Sequence, residues 1–256
     1  PNVDTMLTAD PPEHKRFRGL VNKAFTPRRV DKLEPNIQKV ADDLIAGFIQ
    51  DGRFSVLRQF CVPLPLSVIA DQLGVPSEDL PQFKRWTDGF VAQLGGMASK
   101  EEQVEAARLI VEYQHYFAER LAEAKAAPRD DIISDLVRAR LEGERALNTA
   151  ESLSIIQQLL VAGNETTAST IAAGLLLLIQ HPDQMKLVCE DPGLLPNMIE
   201  EVTRLTTPTQ NMWRVATNDC ELGDFKVNKG DFVFIRYGAA NRDPARFEDP
   251  DRFDVL

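Results

Sequence analysis

The chain has 256 residues, 43% hydrophobic and 27% charged, with a formal net charge of -10. That balance specifies a globular protein able to bury a substantial core, and its acidity weighs against nucleic acid or an anionic membrane as the main partner. Cys61, Cys189 and Cys220 are odd in number and far apart, so they suggest neither a disulfide framework nor a paired zinc motif, and reducing cytoplasm is the expected compartment.

The start Pro1-Asn2-Val3 has neither an initiator methionine nor a signal-peptide pattern, and the sequence reads as an excerpt of a longer one. Asp10-Pro11-Pro12-Glu13 predicts a helix start, with Asp10 as cap and Pro11 at the first helical position, running to about Ala24. Thr26-Pro27 repeats the cap-plus-proline signal. Pro35 opens a helix carrying Ile37, Val40, Leu44, Ile45 and Phe48, which Gly52 ends. Helical patterns follow at about Leu66–Leu73, Ser77–Leu94, Lys100–Lys125 and Asp130–Arg140. Between two of them, Gly95-Gly96 suits either a mobile lid over a ligand entrance or a plain helix-helix turn.

Asn148, with Glu151 three residues on, caps a long central helix over residues 149–181 that Pro182 stops. Its apolar positions, among them Leu153, Ile156, Leu160, Ile171, Leu175 and Ile179, predict burial nearly all round. Polar residues interrupt it too often for a membrane span. Inside it stands Ala162-Gly163-Asn164-Glu165-Thr166-Thr167. A buried Glu165 needs a polar partner or a cavity, a mid-helix threonine can turn its hydroxyl to the carbonyl four residues back, and Gly163 leaves room for something to approach the backbone. The combination predicts a groove with an acid and an alcohol on its wall, suited to passing protons to a small ligand. After Pro196 comes a helix with Ile199, Val202 and Leu205. Short β-type runs between Trp213 and Tyr237 follow, separated at Gly223 and Lys229-Gly230. The fold class is therefore mainly α with a small sheet near the C-terminal end.

Further pairs extend the pattern: His14 and Arg18 four apart on one helix, Glu201 and Arg204 three apart on another, Arg214 opening the first strand, then Ala240-Asn241-Arg242-Asp243-Pro244 and Pro250-Asp251-Arg252-Phe253. Singly, each is an ordinary solvated pair or helix residue. In this order, together with Ala-Gly-x-Glu-Thr-Thr, they resemble bacterial cytochrome P-450, the haem-thiolate monooxygenases, from about Thr8 to Leu256, as a single partial domain over 1–256.

The resemblance implies haem b as cofactor, dioxygen and a small hydrophobic organic molecule as substrates, and electrons from NAD(P)H through a ferredoxin and its reductase. It assigns Glu165 and Thr166 to proton delivery, Ala162 and Gly163 to the haem face, and His14, Arg18 and Arg214 to the haem propionates. It assigns Glu201, Arg204 and Arg252 to a buried structural ion triad, and Thr209, Gln210, Asn211 and Met212 to the substrate pocket. Lys15, Arg16 and Lys23, in a basic cluster with Arg18, Arg28 and Arg29, would either dock the ferredoxin or form an ordinary solvated face. The axial cysteine loop of the family is expected beyond Leu256, since none of the three cysteines has its context. The alternative is a haem-less remnant of the same fold acting as a binding or scaffold module. The identity of the substrate is open.

Overall fold

A computed structural model describes the backbone of residues 3–94 and 99–256, with side chains throughout these except Arg28, Gln93 and Leu94. Gly95-Gly96, expected as a lid or turn, lies outside the described residues. The chain forms two compact units, Pro1–Glu165 and Thr166–Leu256.

The first unit is helical: α1 (Glu13–Ala24), α2 (Pro27–Asp31), α3 (Glu34–Ala46), α4 (Pro63–Gln72), α5 (Leu80–Leu94), α6 (Lys100–Ala126), α7 (Ile132–Arg138) and α8 (Thr149–Gln180) as far as Glu165. Local chemistry sets most of the starts. Thr26 Oγ1 accepts from the Arg29 N–H, and Asp131 Oδ1 from the Ser134 N–H. Two capping boxes are complete. Ser99 and Glu102 exchange bonds of 3.2 and 2.7 Å at α6, and Asn148 and Glu151 exchange bonds of 2.9 and 2.8 Å at α8, each cap contributing about 1 kcal/mol. At α1 the expected cap is absent: the helix begins at Glu13, and Asp10 contributes its main-chain carbonyl to the His14 N–H at 3.0 Å.

Aromatic side chains fill the middle of this unit. Trp86 on α5 lies 5.0 Å from the Tyr116 ring on α6, Phe90 lies 4.9 Å from Tyr113, and Tyr113 lies 4.9 Å from Phe117. Phe83, Tyr113 and Phe117 are fully buried, together with Leu20 of α1, Leu136 of α7 and Ile155, Ile156 and Leu160 of α8. Buried Tyr113 keeps its phenol satisfied by donating to the Leu153 carbonyl at 2.8 Å, which ties α6 to α8. Burial pushes that phenol up from its ordinary pKa.

The second unit contains the rest of α8, then α9 (Pro182–Glu190), α10 (Leu195–Thr206), strands β1 (Met212–Val215), β2 (Cys220–Leu222), β3 (Phe225–Val227) and β4 (Phe232–Ile235), and α11 (Tyr237–Ala240). The strands pair antiparallel as two two-stranded sheets, β1 with β4 and β2 with β3. Its buried cluster is small: Val188, Val202, Leu205, Phe253 and Val255. Gly174 lets α10 approach α8, since a Cβ there would sit 3.2 Å from Val202 Cγ1.

The central helix runs unbroken through the polar motif and is not buried all round. Ala162, Glu165, Ser169, Leu176 and Ile179 are exposed, whereas Ile156, Leu160, Asn164 and Ala168 are buried. At 100° per residue Ala162, Glu165 and Ser169 share one uncovered stripe and Ile156, Leu160 and Asn164 lie on the other side, where Thr167 is also exposed. No helix of the described residues is long and apolar enough to cross a membrane.

Candidate functional site

The uncovered face of α8 carries the predicted chemistry. Ala162, Glu165 and Ser169 follow one another along it, with Thr166, half-buried, at its flank. Glu165 is exposed, which corrects the expectation of a buried acid: its helix position points it away from the covered side, and no desolvation has to be offset. On α8 the Thr170 hydroxyl turns back along the helix and donates to the Thr166 carbonyl at 2.8 Å. Gly163 does not open onto this face. A Cβ there would overlap Ile69 Cδ1, so the space it leaves is taken by α4. Asn164, 3% exposed, places its Oδ1 in the interior with no donor among the described residues.

At the start of α8, Glu151 is 3% exposed and collects several donors. Arg145 forms a two-pronged pair with it at 2.6 and 2.8 Å, Arg16 Nη1 lies at 3.2 Å, and the Asn148 N–H completes the set. Burial pushes this carboxyl up, but the bonds from Arg145, Asn148 and Arg16 outweigh it and hold the pKa down at about 2. Arg16 also reaches Glu144 at 3.3 Å and the Arg145 and Ala146 carbonyls, leaving 11% of its side chain exposed. The docking role expected for Arg16 is thereby corrected. It shares the inward side of α1 with Leu20, one turn on, and ties α1 to the start of α8.

A second polar centre lies on α10. Arg204 grips Glu201 through Nε (2.7 Å) and Nη2 (2.8 Å), with 13% and 15% of the two side chains exposed. The same guanidinium donates to the carbonyls of Asn241 (2.9 Å), Pro250 (2.7 Å) and Arg252 (3.0 Å), and lies 4.9 Å above the Phe247 ring. Glu201 in turn accepts from the Asp254 N–H at 3.1 Å. Arg252 joins through its carbonyl; its own guanidinium pairs with Asp254 at 3.1 Å and is 60% exposed. The expected triad is corrected to a part-buried pair plus loop carbonyls, because the Arg252 guanidinium turns outward to Asp254. Arg242 pairs with Asp251 and donates to the Leu205 carbonyl, and Asn241 donates to Thr207 Oγ1, so both C-terminal motifs are fastened to the end of α10. Thr207 caps α10 with φ at +41°.

The remaining predicted residues divide. Thr209 and Asn211 are exposed and Met212 half-buried, but the Gln210 amide is bonded at 3.0 Å to both the Thr206 and Thr207 carbonyls. The amide nitrogen therefore caps the end of α10, while the side chain stays exposed. Lys15 is exposed. Lys23 is exposed as well and lines a groove of about 540 Å³ with Arg29, Lys32, Asp71, Asp130 and Asp135, a mixed surface in which Arg29 pairs with Asp135. Cys61 is buried in the π-helical turn Leu57–Cys61, its thiol pushed up by burial, while Cys189 and Cys220 are exposed.

A haem requires cations for its carboxylates and a flat, small-residue wall. Among the described residues neither the side chain of the exposed Arg18 nor that of the half-buried His14 one turn before it makes a hydrogen bond or ion pair, and the exposed Arg214 guanidinium has only the Trp213 carbonyl as partner. Ala162 offers a small exposed surface. These residues fit the group, and at Gly163 the space that a side chain would fill is occupied by Ile69.

Sequence signals existed for part of what was missed. Arg16 stands one turn before a leucine of the buried stripe, and Glu151 stands in a capping box. Nothing in the sequence marked the loop carbonyls that Arg204 serves.

The family model described as cytochrome P-450 matches residues 83–192 and 193–256. Cytochrome P-450 107B1 of Saccharopolyspora erythraea is 39% identical over 251 residues, 98% of this chain and 60% of that protein. A cytochrome P-450 structure from Chondromyces apiculatus is 41% identical with a TM-score of 0.90, covering 99% of this chain and 62% of that one. A Bacillus megaterium cytochrome P-450 solved with testosterone is 35% identical with a TM-score of 0.91, covering 99% and 68%. The chain spans about three fifths of the length of the first curated relative it matches.

Proposed function

Because the chain belongs to the cytochrome P-450 family, we propose that the full-length protein containing it is a haem-dependent monooxygenase that inserts one oxygen atom of dioxygen into a small apolar organic substrate. The single observation that carries this reading is the uncovered stripe of α8, which sets an exposed carboxylate, Glu165, beside the half-buried alcohol of Thr166 in an otherwise apolar helix. When bound, the haem supplies a reducible iron at which dioxygen is activated.

The chain's own residues supply the setting. His14 and Arg18, one helical turn apart, offer donors to haem carboxylates, and Arg214 offers another; the order of the motifs along the chain supports this. Ala162 keeps one stretch of helix low enough for a flat ring. Glu165 Oε atoms reach water and exchange protons with it, and the Thr166 hydroxyl, on the next helix position, passes a proton inward while the apolar surroundings limit bulk water. Thr209, Asn211 and Met212 supply a mixed wall for the substrate. The Bacillus megaterium relative was solved with testosterone, which supports an apolar ligand of that size class here. Electrons come from NAD(P)H through a ferredoxin and its reductase in the cytoplasm, with the exposed Lys15 and Lys23 meeting the acidic donor.

The test is spectroscopic and isotopic. The full-length protein, reduced under carbon monoxide, is expected to show the thiolate-type Soret band and, with a ferredoxin system and ¹⁸O₂, to place one labelled oxygen in product. A full-length protein lacking that band contradicts the reading.

A further inference from the structure

The segment before α1 is fastened to α8 by a side chain that the proposed chemistry does not use. Gln158 Oε1 accepts from the Leu7 N–H at 3.0 Å, and its Nε2 donates to Ser154 Oγ at 3.2 Å and to Thr5 Oγ1. Ser154 Oγ donates to the Val3 carbonyl at 3.0 Å and stands 2.9 Å from Thr5 Oγ1. Both N–H groups of the amide and its oxygen are thus committed, and Thr5 is completely buried. The amide oxygen and one N–H bond hold the segment while a further N–H bond stays on α8 at Ser154, and releasing the segment would strand the buried Thr5 hydroxyl.

Its position on α8 gives the contact a direction. Ser154, Gln158, Ala162 and Glu165 are spaced four, four and three residues apart, which is one face of the helix. The segment covers that face as far as Gln158. The uncovered stretch begins at Ala162, one turn or about 6 Å further along the axis. Thr5 points inward and Met6 packs against the core, while Leu7 is left 61% exposed at the margin of the uncovered stretch. An apolar side chain held there by its own main-chain N–H is a wall.

We infer that Gln158 is a positioning residue that holds Val3–Ala9 on α8 so that Leu7 bounds the substrate site beside Ala162 and Glu165. This rests on the monooxygenase reading for what occupies the site, but not for the clasp itself.

The test uses the full-length, haem-loaded protein and two iron-ligating probes, imidazole and 1-dodecylimidazole, of which only the second has a chain long enough to sample the wall. Gln158→Leu, similar in size but without the amide, should speed hydrogen exchange at the Leu7 N–H at least about tenfold and weaken dodecylimidazole about tenfold, leaving imidazole unchanged. Gln158→Glu, which keeps the acceptor for Leu7, should recover most of the protection. Leu7→Ala, a surface change with no folding burden, should weaken dodecylimidazole alone. Unchanged exchange at Leu7 in Gln158→Leu overturns the clasp. Unchanged dodecylimidazole affinity in Leu7→Ala overturns the wall. A wild-type protein that binds no haem contradicts the monooxygenase reading and takes the wall with it, while exchange at Leu7 still reports on the clasp.

Discussion

The two units are held together by different physics. In Pro1–Glu165, side chains from α1, α4, α5, α6, α7 and α8 meet in one apolar cluster rich in aromatic rings. In Thr166–Leu256 the buried cluster is small, and Trp213, Val215, Phe232 and Phe234 stand exposed as cross-strand neighbours on one face of the β1–β4 sheet. There Arg204 organises the C-terminal loops by serving three carbonyls and one carboxylate, with Arg242 adding Asp251 and the Leu205 carbonyl. A helical unit satisfies its main chain internally and needs only apolar contact between elements, whereas a loop-rich one must find donors for its carbonyls elsewhere. Arginine, with five N–H groups in a fixed fork, supplies them.

If that contrast is right, the units will fail to different substitutions. Phe117→Ala, which removes a fully buried ring from the first cluster, is expected to cost about 4 to 5 kcal/mol, read as a lowered urea midpoint of the full-length protein with exchange rising first in α5 and α6. Arg204→Met keeps an apolar stem but strands Glu201 and three carbonyls, and is expected to cost about 3 to 4 kcal/mol, with exchange rising first over residues 241–256. A negligible effect of Arg204→Met would mean that packing, not charge, holds the second unit.

Glu151 sharpens the contrast because it is the charged exception within the apolar unit. Its folded pKa of about 2 lies below the ordinary value of 4.5, so its contribution is complete above about pH 4.5 and is lost as pH falls toward 2. The contribution is on the order of 3 kcal/mol by linkage. Wild type minus Glu151→Gln in urea midpoint should therefore shrink as pH is lowered from 5 to 2.5, and a difference independent of pH would show that the carboxylate charge is not what matters. Lys15→Glu should leave stability untouched, since Lys15 is exposed, yet slow electron delivery from an acidic ferredoxin most at low salt. An unchanged rate and salt dependence would remove Lys15 from the docking surface.

Much of this arrangement was legible in the sequence because it is local. The Asn148–Glu151 box, the Thr26-Pro27 start and the span of α8 follow from caps and spacing alone, and the order of the motifs carried the family. What was illegible depended on which way a charged side chain turns. Arg16 looked like one of a run of surface cations, but it faces Glu151, which is 135 positions away in the chain. Gln210 looked free to meet a ligand, but the end of α10 leaves carbonyls that it caps. Arg252 looked like a partner for Glu201, but its guanidinium turns outward to Asp254. Glu165 looked buried because apolar residues surround it in sequence, while helical geometry sets it on the side that the described residues leave open. Composition reports how much of a helix is apolar; only the fold decides which face is covered.

The measurement that bears most directly on the proposed chemistry is the ratio of product formed to electrons consumed in the full-length protein carrying Thr166→Ala. With the Glu165–Thr166 pair delivering protons, the variant should keep its haem and bind substrate normally while most of its electrons go to reduced oxygen species and not to product. An unchanged ratio, with haem content and substrate affinity equal to wild type, would contradict the assignment of this helix face as the oxygen-activating site.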